Sequence, residues 1–160
     1  MKLDTIERRI LTLLQIEGRM SNVDLAKQIG LSESPTFRRV KQLEQAGIIK
    51  GYAAVVDQRK LGLDVTAYVL VTMVKQPDAT TEAFHAAVRD EPHITECHAM
   101  SGSHDYLMKV VARSIDDFSE LCMQYILKFP GVQHVESSFS LREIKNNGVL
   151  PAADIDRANA

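Results

Sequence analysis

Three groups of side chains in this chain have types and spacings that could do chemistry. The first lies between Ser34 and Gln42. At about 100° per residue, Ser34, Arg38, Lys41 and Gln42 share one arc of a helix, with Thr36 and Arg39 on its flanks; Phe37, Val40 and Leu43 share the opposite arc. The polar arc carries short residues at its N-terminal end (Ser34, Pro35, Thr36) and no carboxylate before Glu44. A helix that enters a major groove needs this makeup, with short donors near its start to reach base edges and Arg or Lys to hold phosphates. Ser34, Pro35, Thr36, Arg38, Arg39, Lys41 and Gln42 are therefore the candidate DNA-binding residues. The second group is Cys97-His98 with His104-Asp105 further on, which are nucleophile or metal-ligand types. Neighbouring strand residues point to opposite faces, so Cys97 and His98 cannot share a site without a bulge. No CxxC or HxxxH spacing occurs, and His85, His93 and His134 are scattered. The third group, Ser101, His104 and Asp105, sits on one tight turn, which cannot build the linear relay of a triad. No glycine-rich nucleotide loop is present. The expectation is therefore no enzyme, no metal and no cofactor.

The elements that must position the first group are helical. Asp4-Thr5-Ile6-Glu7 reads as a capping box, followed by Ile6, Ile10, Leu13 and Leu14 at helical spacing and by Gly18. Ser21 caps a second helix with Val23, Ala26 and Ile29 inward, ended by Gly30. Ser32 caps a third helix to about Ala46, and Pro35 is tolerated in its first turn. Two short helices joined by Gly30-Leu31-Ser32 behind a leading helix form a helix-turn-helix. The run from Ile48 to Val56 reads as a short strand pair, which makes the motif winged. Lys50 and Tyr52 are placed to touch a DNA backbone there, and packing is an equal reading for Tyr52.

Past a linker or hinge at 57–63 the period changes. Val65–Val74 reads as a strand buried on both faces, broken by Pro77 and Asp78. Thr80 or Thr81 then opens a helix with Phe84, Ala87 and Val88 inward, stopped at Pro92. Thr95–Met100 and Tyr106–Ala112 read as strands around the turn Ser101-Gly102-Ser103-His104. Ser114-Ile115-Asp116-Asp117 is a second capping-box pattern, opening a helix with Phe118, Leu121, Cys122, Tyr125 and Ile126 inward. Pro130-Gly131 stops it, and Val132–Leu141 is a last strand. The order β-α-β-β-α-β is the ferredoxin-like pattern, with both helices on one face of an antiparallel sheet. The other face has no cover within the chain and fits a second copy. The fold class is thus α+β, with a winged helix-turn-helix domain over 1–60, a ferredoxin-like βαββαβ oligomerisation domain over 64–150, and a tail over 151–160 expected to fray.

Composition agrees with this division. The chain has 160 residues, 45% of them hydrophobic, and a net charge of −2, with residues 1–60 contributing +4 and residues 61–160 contributing −6. A basic first part joined to an acidic remainder fits a polyanion partner for the first part alone. No stretch reaches the roughly 18 apolar residues of a membrane span. Two cysteines are too few for a disulfide framework, so the expected location is cytoplasmic.

Read together, the motifs resemble the Lrp/AsnC (feast/famine) family of transcription regulators. The resemblance is carried by Leu3-Asp4 with Ile10-Leu11, Gly18-Arg19-Met20-Ser21-Asn22, Leu25-Ala26, Gly30-Leu31-Ser32, Arg39-Val40 and Leu43-Glu44. It continues through Gly47-Ile48-Ile49-Lys50-Gly51-Tyr52, Glu96-Cys97-His98, Ser101-Gly102, Asp105-Tyr106-Leu107, and Leu127 with Pro130-Gly131-Val132. It spans residues 3 to about 145. The resemblance implies a DNA-reading domain followed by a regulatory (RAM) domain, with homodimers that assemble to octamers. It also implies a small effector, an amino acid, bound between dimers to modulate DNA affinity or assembly. The family's effector loop matches Ser101, Gly102, Ser103, His104, Asp105 and Tyr106, and a second lining segment matches Ser138, Phe139 and Ser140. Turn amides suit a carboxylate, and Asp105 suits an ammonium. Ser103 and His104 stand where many relatives have an acidic and then an aromatic residue, so no particular amino acid follows.

Overall fold

A computed structural model describes residues 2–74, 78–146 and 148–152. The chain divides into two compact units. One is Val56–Ile144; the other is Met1–Val55 together with the segment beginning at Lys145.

The first unit holds α1 (Thr5–Ile16), α2 (Asn22–Ile29) and α3 (Glu33–Gln45). The capping box opens α1: Asp4 Oδ1 accepts from the Glu7 amide at 2.7 Å, and Glu7 Oε2 accepts from the Asp4 amide at 2.9 Å. Ser21 Oγ caps α2 by accepting from Asp24 N, and Gly30 ends it at φ 73°, where a Cβ would be strained. Ile10, Leu25, Ile29 and Leu43 form the buried centre, and Ile6, Leu13, Leu14 and Val40 pack on it. Several inward positions differ from expectation. Val23 is exposed and Leu25 takes its place inside; Phe37 is 54% exposed. Ser32 occupies the cap position of α3 without a side-chain bond, and its carbonyl instead accepts from Thr36 Oγ1 at 2.9 Å.

The strand pair expected over 48–56 is not formed. Ile48 and Ile49 both donate to the Leu43 carbonyl, which winds the chain tightly off α3, and residues 51–57 then run without a ladder partner. The expected tail also differs at its start. Gln15 clasps Leu150 with both ends of its amide: Nε2 donates to the Leu150 carbonyl at 3.2 Å and Oε1 accepts from its N–H at 2.7 Å. Ala152 is buried, so Pro151 and Ala152 are folded into this unit. The rest of the expected tail, 153–160, lies outside the described residues.

The second unit holds β1 (Val65–Met73), α4 (Asp78–Asp90), β2 (Ile94–Ala99), β3 (Tyr106–Ala112), α5 (Ile115–Gln124) and β4 (Val132–Phe139). The strands form one antiparallel sheet in the order β2-β3-β1-β4, the ferredoxin-like arrangement. Phe84 and Val88 of α4, with Phe118, Leu121 and Cys122 of α5, cover Ala67, Val69, Val71, Met108, Val110 and Ala112. The opposite sheet face carries Tyr68 and Leu70 of β1 and Leu107 and Lys109 of β3, with Glu96, His98, Glu136 and Ser138 beside them by register.

β1 is therefore buried on one face and not on two, since Tyr68 is 41% exposed. α4 begins at Asp78, ahead of the expected Thr80 or Thr81, and the predicted break at Pro77 lies outside the described residues. Tyr125 faces outward because α5 ends at Gln124 and the backbone leaves helical geometry at Tyr125. Ser114 Oγ caps α5 through Asp117 N, but the returning carboxylate of Asp117 lands on the Arg113 amide, one residue earlier than a capping box requires. The stretch 57–63, expected as a linker, is a folded turn. Asp57 Oδ1 accepts from the Arg59 and Lys60 amides, and Gln58 Nε2 reaches the Leu63 carbonyl and Thr66 Oγ1.

Candidate functional site

α3 presents an outward face built from Ser34, Arg38, Lys41 and Gln42, all exposed. Its start is fixed to α2 by Asn22, whose Nδ2 donates to the Glu33 carbonyl at 3.0 Å. Among the described residues Arg38 has no hydrogen bond or ion pair, so its guanidinium is available to an incoming anion. Lys41 Nζ lies 2.7 Å from Glu44 Oε2 and 5.7 Å from the Phe37 ring centroid. Glu44 also accepts from the Tyr52 hydroxyl at 3.1 Å. These two donors, Lys41 first, hold the Glu44 carboxyl below its ordinary range, while burial and then Glu44 push the Tyr52 hydroxyl up. Tyr52 thereby ties the extended segment to α3.

Two of the expected DNA-binding residues are placed elsewhere. Thr36 is fully buried and spends its hydroxyl on the Ser32 carbonyl. Arg39 is turned towards α1, with Nη1 2.6 Å from Asp4 Oδ2 and 3.6 Å from Glu7 Oε1. The Asp4 carboxyl is held low by the Glu7 amide first and Arg39 after it. Arg39 thus pins the third helix to the capped start of the first. Pro35 is half-buried in the first turn of α3.

The five-residue turn from Ser101 to Asp105 joins β2 to β3 and is anchored to the end of β1. Met100 N donates to the Asp105 carbonyl, Asp105 N donates to the Val71 carbonyl, and Asp105 Oδ2 accepts from Met73 N at 2.7 Å. Gly102 sits at φ 144°, a conformation that L side chains rarely adopt. Ser101, Gly102 and Ser103 are exposed, and their amides have no protein acceptor among the described residues. His104 is half-buried, with Nδ1 3.3 Å from Thr72 Oγ1 and Nε2 3.9 Å from Glu136 Oε2. Tyr106 faces the helices. Its hydroxyl lies 2.9 Å from His85 Nε2, its ring meets that of Phe84 at a tilt of 43°, and burial pushes its ionisation up.

Ser138 and Ser140 lie further along β1. Ser138 stands opposite Tyr68, and Ser140 N donates to the Thr66 carbonyl, whereas the turn is held at Val71 and Met73. At about 3.3 Å per residue, three to five residues of strand separate them from the turn's anchor at Val71, roughly 10–16 Å. Phe139 faces the helices and packs edge-on against Phe118. One chain does not bring the turn and these serines around a single small ligand.

The other reactive types are divided by the sheet. Cys97 pairs with Met108 on the helix-covered face, where burial pushes its thiol up, and His98 pairs with Leu107 on the open face. Among the described residues no group of three His, Cys, Asp or Glu side chains could hold a metal ion, and no helix is long and apolar enough to cross a membrane. Besides Thr36 and Arg39, the sequence pattern misplaces Phe37 on α3, which it put inside and which is 54% exposed. Its place at the edge of the apolar arc, 60° from Ser34, was the available signal.

Comparison with known proteins bears on both surfaces. Residues 3–50 match the family model described as winged helix-turn-helix DNA-binding, and residues 66–150 match the Lrp/AsnC ligand binding domain. A leucine-responsive regulatory protein of Rhizobium meliloti is 35% identical over 145 residues, covering 91% of this chain and 93% of that protein. A transcriptional regulator of Neisseria meningitidis, solved as a complex with L-Met, superposes with a TM-score of 0.91 at 39% identity, covering 94% of this chain and 97% of that one. An AsnC family transcriptional regulator of Agrobacterium tumefaciens superposes with a TM-score of 0.90 at 31% identity, covering 96% and 99% of the two chains.

Proposed function

From the premise that the chain belongs to the Lrp/AsnC family of DNA-binding transcription regulators with an amino-acid ligand domain, we propose how its own residues divide the work. Ser34, Arg38, Lys41 and Gln42 enter the major groove, while Arg39 and Thr36 hold the helix that presents them. The protein acts as a homodimer, joined through the open sheet face, that assembles further towards an octamer. Two copies of α3 then meet successive major grooves about 10 base pairs apart or a multiple of that. Catalysis has no part in this role, and the setting is the cytoplasm.

The effector is an amino acid. Its carboxylate meets the Ser101–Ser103 amides and its ammonium the free edge of the Asp105 carboxylate, with His104 at the mouth. Ser138 and Ser140 come from a neighbouring copy, because they stand too far along β1 to reach the same ligand in one chain. Any effect on DNA equals the effector's differential affinity for the assembly states. Methionine and leucine are the first ligands to try, since names of similar proteins carry them.

The observation that carries this reading is the outward face of α3, with Arg38, unpaired among the described residues, beside exposed Ser34, Lys41 and Gln42. The test is binding to the DNA upstream of the protein's own gene at several salt concentrations, with and without each amino acid. Specific binding that weakens steeply with salt and shifts with one amino acid supports the proposal. Ligand binding by a protein with no preference over random DNA makes it a stand-alone sensor instead.

A further inference from the structure

Phe37 is 54% exposed on a helix whose neighbouring inward positions are filled by fully buried Thr36 and Leu43. Met20, Leu31 and Val40 pack on the core of the first unit, and Phe37 stays out of it. It stands one turn after Ser34 and directly before Arg38, with the Lys41 ammonium 5.7 Å from its ring. Helical side chains lean towards the N-terminus of their helix, so the Phe37 ring projects over the first turn of α3. In a helix-turn-helix that end of the reading helix lies against base edges. A large exposed apolar ring with an ammonium 5.7 Å from its centroid is poorly suited to water and well suited to an apolar spot on a polyanion. In a major groove of unmodified bases, that spot is the 5-methyl group of thymine.

We propose that Phe37 is a base-reading residue that selects thymine by contact with its 5-methyl group. This rests on the assignment of α3 as the groove helix and adds a specificity that the polar face does not supply. The ring has no conventional hydrogen-bond donor or acceptor, so it distinguishes T·A from A·T and from C·G through the methyl alone. A cytosine carrying a 5-methyl group satisfies it as well as thymine does.

The test uses the intact protein and a duplex that the protein itself selects from a randomised pool. Each thymine of that duplex is replaced in turn by deoxyuridine, which removes only the methyl. The expected result is one thymine in each half-site at which uracil weakens binding about fourfold, the worth of one buried carbon. In Phe37→Ala that penalty disappears at the same position, and in Phe37→Leu part of it remains. Equal melting temperatures of the variants exclude a loss of fold as the cause. If wild type shows no uracil penalty at any thymine, or Phe37→Ala keeps it in full, the inference is overturned while the groove assignment stands. If Arg38→Ala leaves binding unchanged, the groove assignment itself fails and takes this inference with it.

Discussion

Arg38 and Arg39 are adjacent in sequence and equal in formal charge, and the structure gives them opposite tasks, so replacing each by alanine tests the whole reading of the first unit. Arg38 has no partner among the described residues, so Arg38→Ala costs the fold nothing that the structure shows. Its expected cost is one phosphate contact per engaged helix. The slope of log K against log salt then becomes shallower by about 0.9 for each copy of α3 on the DNA. Arg39→Ala removes an ion pair at 2.6 Å to Asp4, whose side chain is 48% exposed, and a second at 3.6 Å to Glu7, whose side chain is 10% exposed. The exposed partner alone is worth about 0.2–1 kcal/mol. At 3.6 Å the contact with nearly buried Glu7 is an ion pair without a hydrogen bond, so it falls short of the roughly 3 kcal/mol that a hydrogen-bonded charge reaches. The more distant Glu7 contact brings the sum to about 1–2 kcal/mol, and a unit this small loses about 4–8 °C of melting temperature per kcal/mol. Thermal melts and fluorescence anisotropy at four salt concentrations read both quantities. The expected pattern is a shallower slope with an unchanged melt for Arg38→Ala, and a lowered melt with an unchanged slope for Arg39→Ala below its melting range. Equal slope changes in the two variants, with both melts unmoved, would refute the division and return Arg39 to the DNA face.

Three further outcomes follow from single contacts. Asp105→Asn keeps an acceptor for the Met73 amide and should melt like wild type, whereas Asp105→Ala leaves that amide without its partner and should cost about 1 kcal/mol; calorimetric titration with the effector should show both variants weakened, and an unweakened Asp105→Asn would remove the ammonium role. Asp117 is held at about 2 by the Arg113 guanidinium and amide, below the ordinary carboxylate range near 3.9. Its folded value is depressed, so its stabilisation is complete above about pH 4 and is lost as pH falls towards 2; Asp117→Asn should flatten that part of the melting-temperature profile, and an unaltered acid limb would count against the cap. Gln15→Ala should abolish amide-exchange protection at Leu150 with little change in the global melt, and retained protection would mean that the 145–152 segment is held by other contacts.

Local signals were the legible part of the fold. The capping box at Asp4-Glu7, the Ser21 and Ser114 caps and the Gly30 terminus depend on residues within four positions of one another, and each stands where the pattern placed it. The β-α-β-β-α-β order was legible because each period change is itself local, and sheet order follows from it through short connections. Less legible were features decided by distant partners. The Gln15 clasp joins residues 135 positions apart, so no window could contain it. The 48–56 run has the apolar character of a strand pair, but both amides at its start are drawn to the Leu43 carbonyl. Alternation of side chains cannot report such competition for one acceptor.

The α3 face shows why a helical wheel resolves a site only in part. The wheel sorts side chains by angle, and for most of each arc it is right: Leu43 is buried and Val40 half-buried, and Ser34 and Arg38 are exposed. At the flanks the outcome depends on what lies across the groove between helices. On one flank Asp4 and Glu7 offer two carboxylates, so a cation is drawn inward and Arg39 is lost from the exposed face of α3. Thr36, expected beside the polar arc, stands within 20° of Leu43 at 100° per residue, and it is enclosed there with its hydroxyl on the Ser32 carbonyl. Phe37, at the far edge of the apolar arc, is left outside with the Lys41 ammonium 5.7 Å from its ring. One pairing, legible only once α1 and α3 are side by side, therefore changes which cations remain on the exposed face of α3. Under the proposed assignment of α3 to the groove, that is why the capping acid Asp4 belongs in the account of how this protein reads its site.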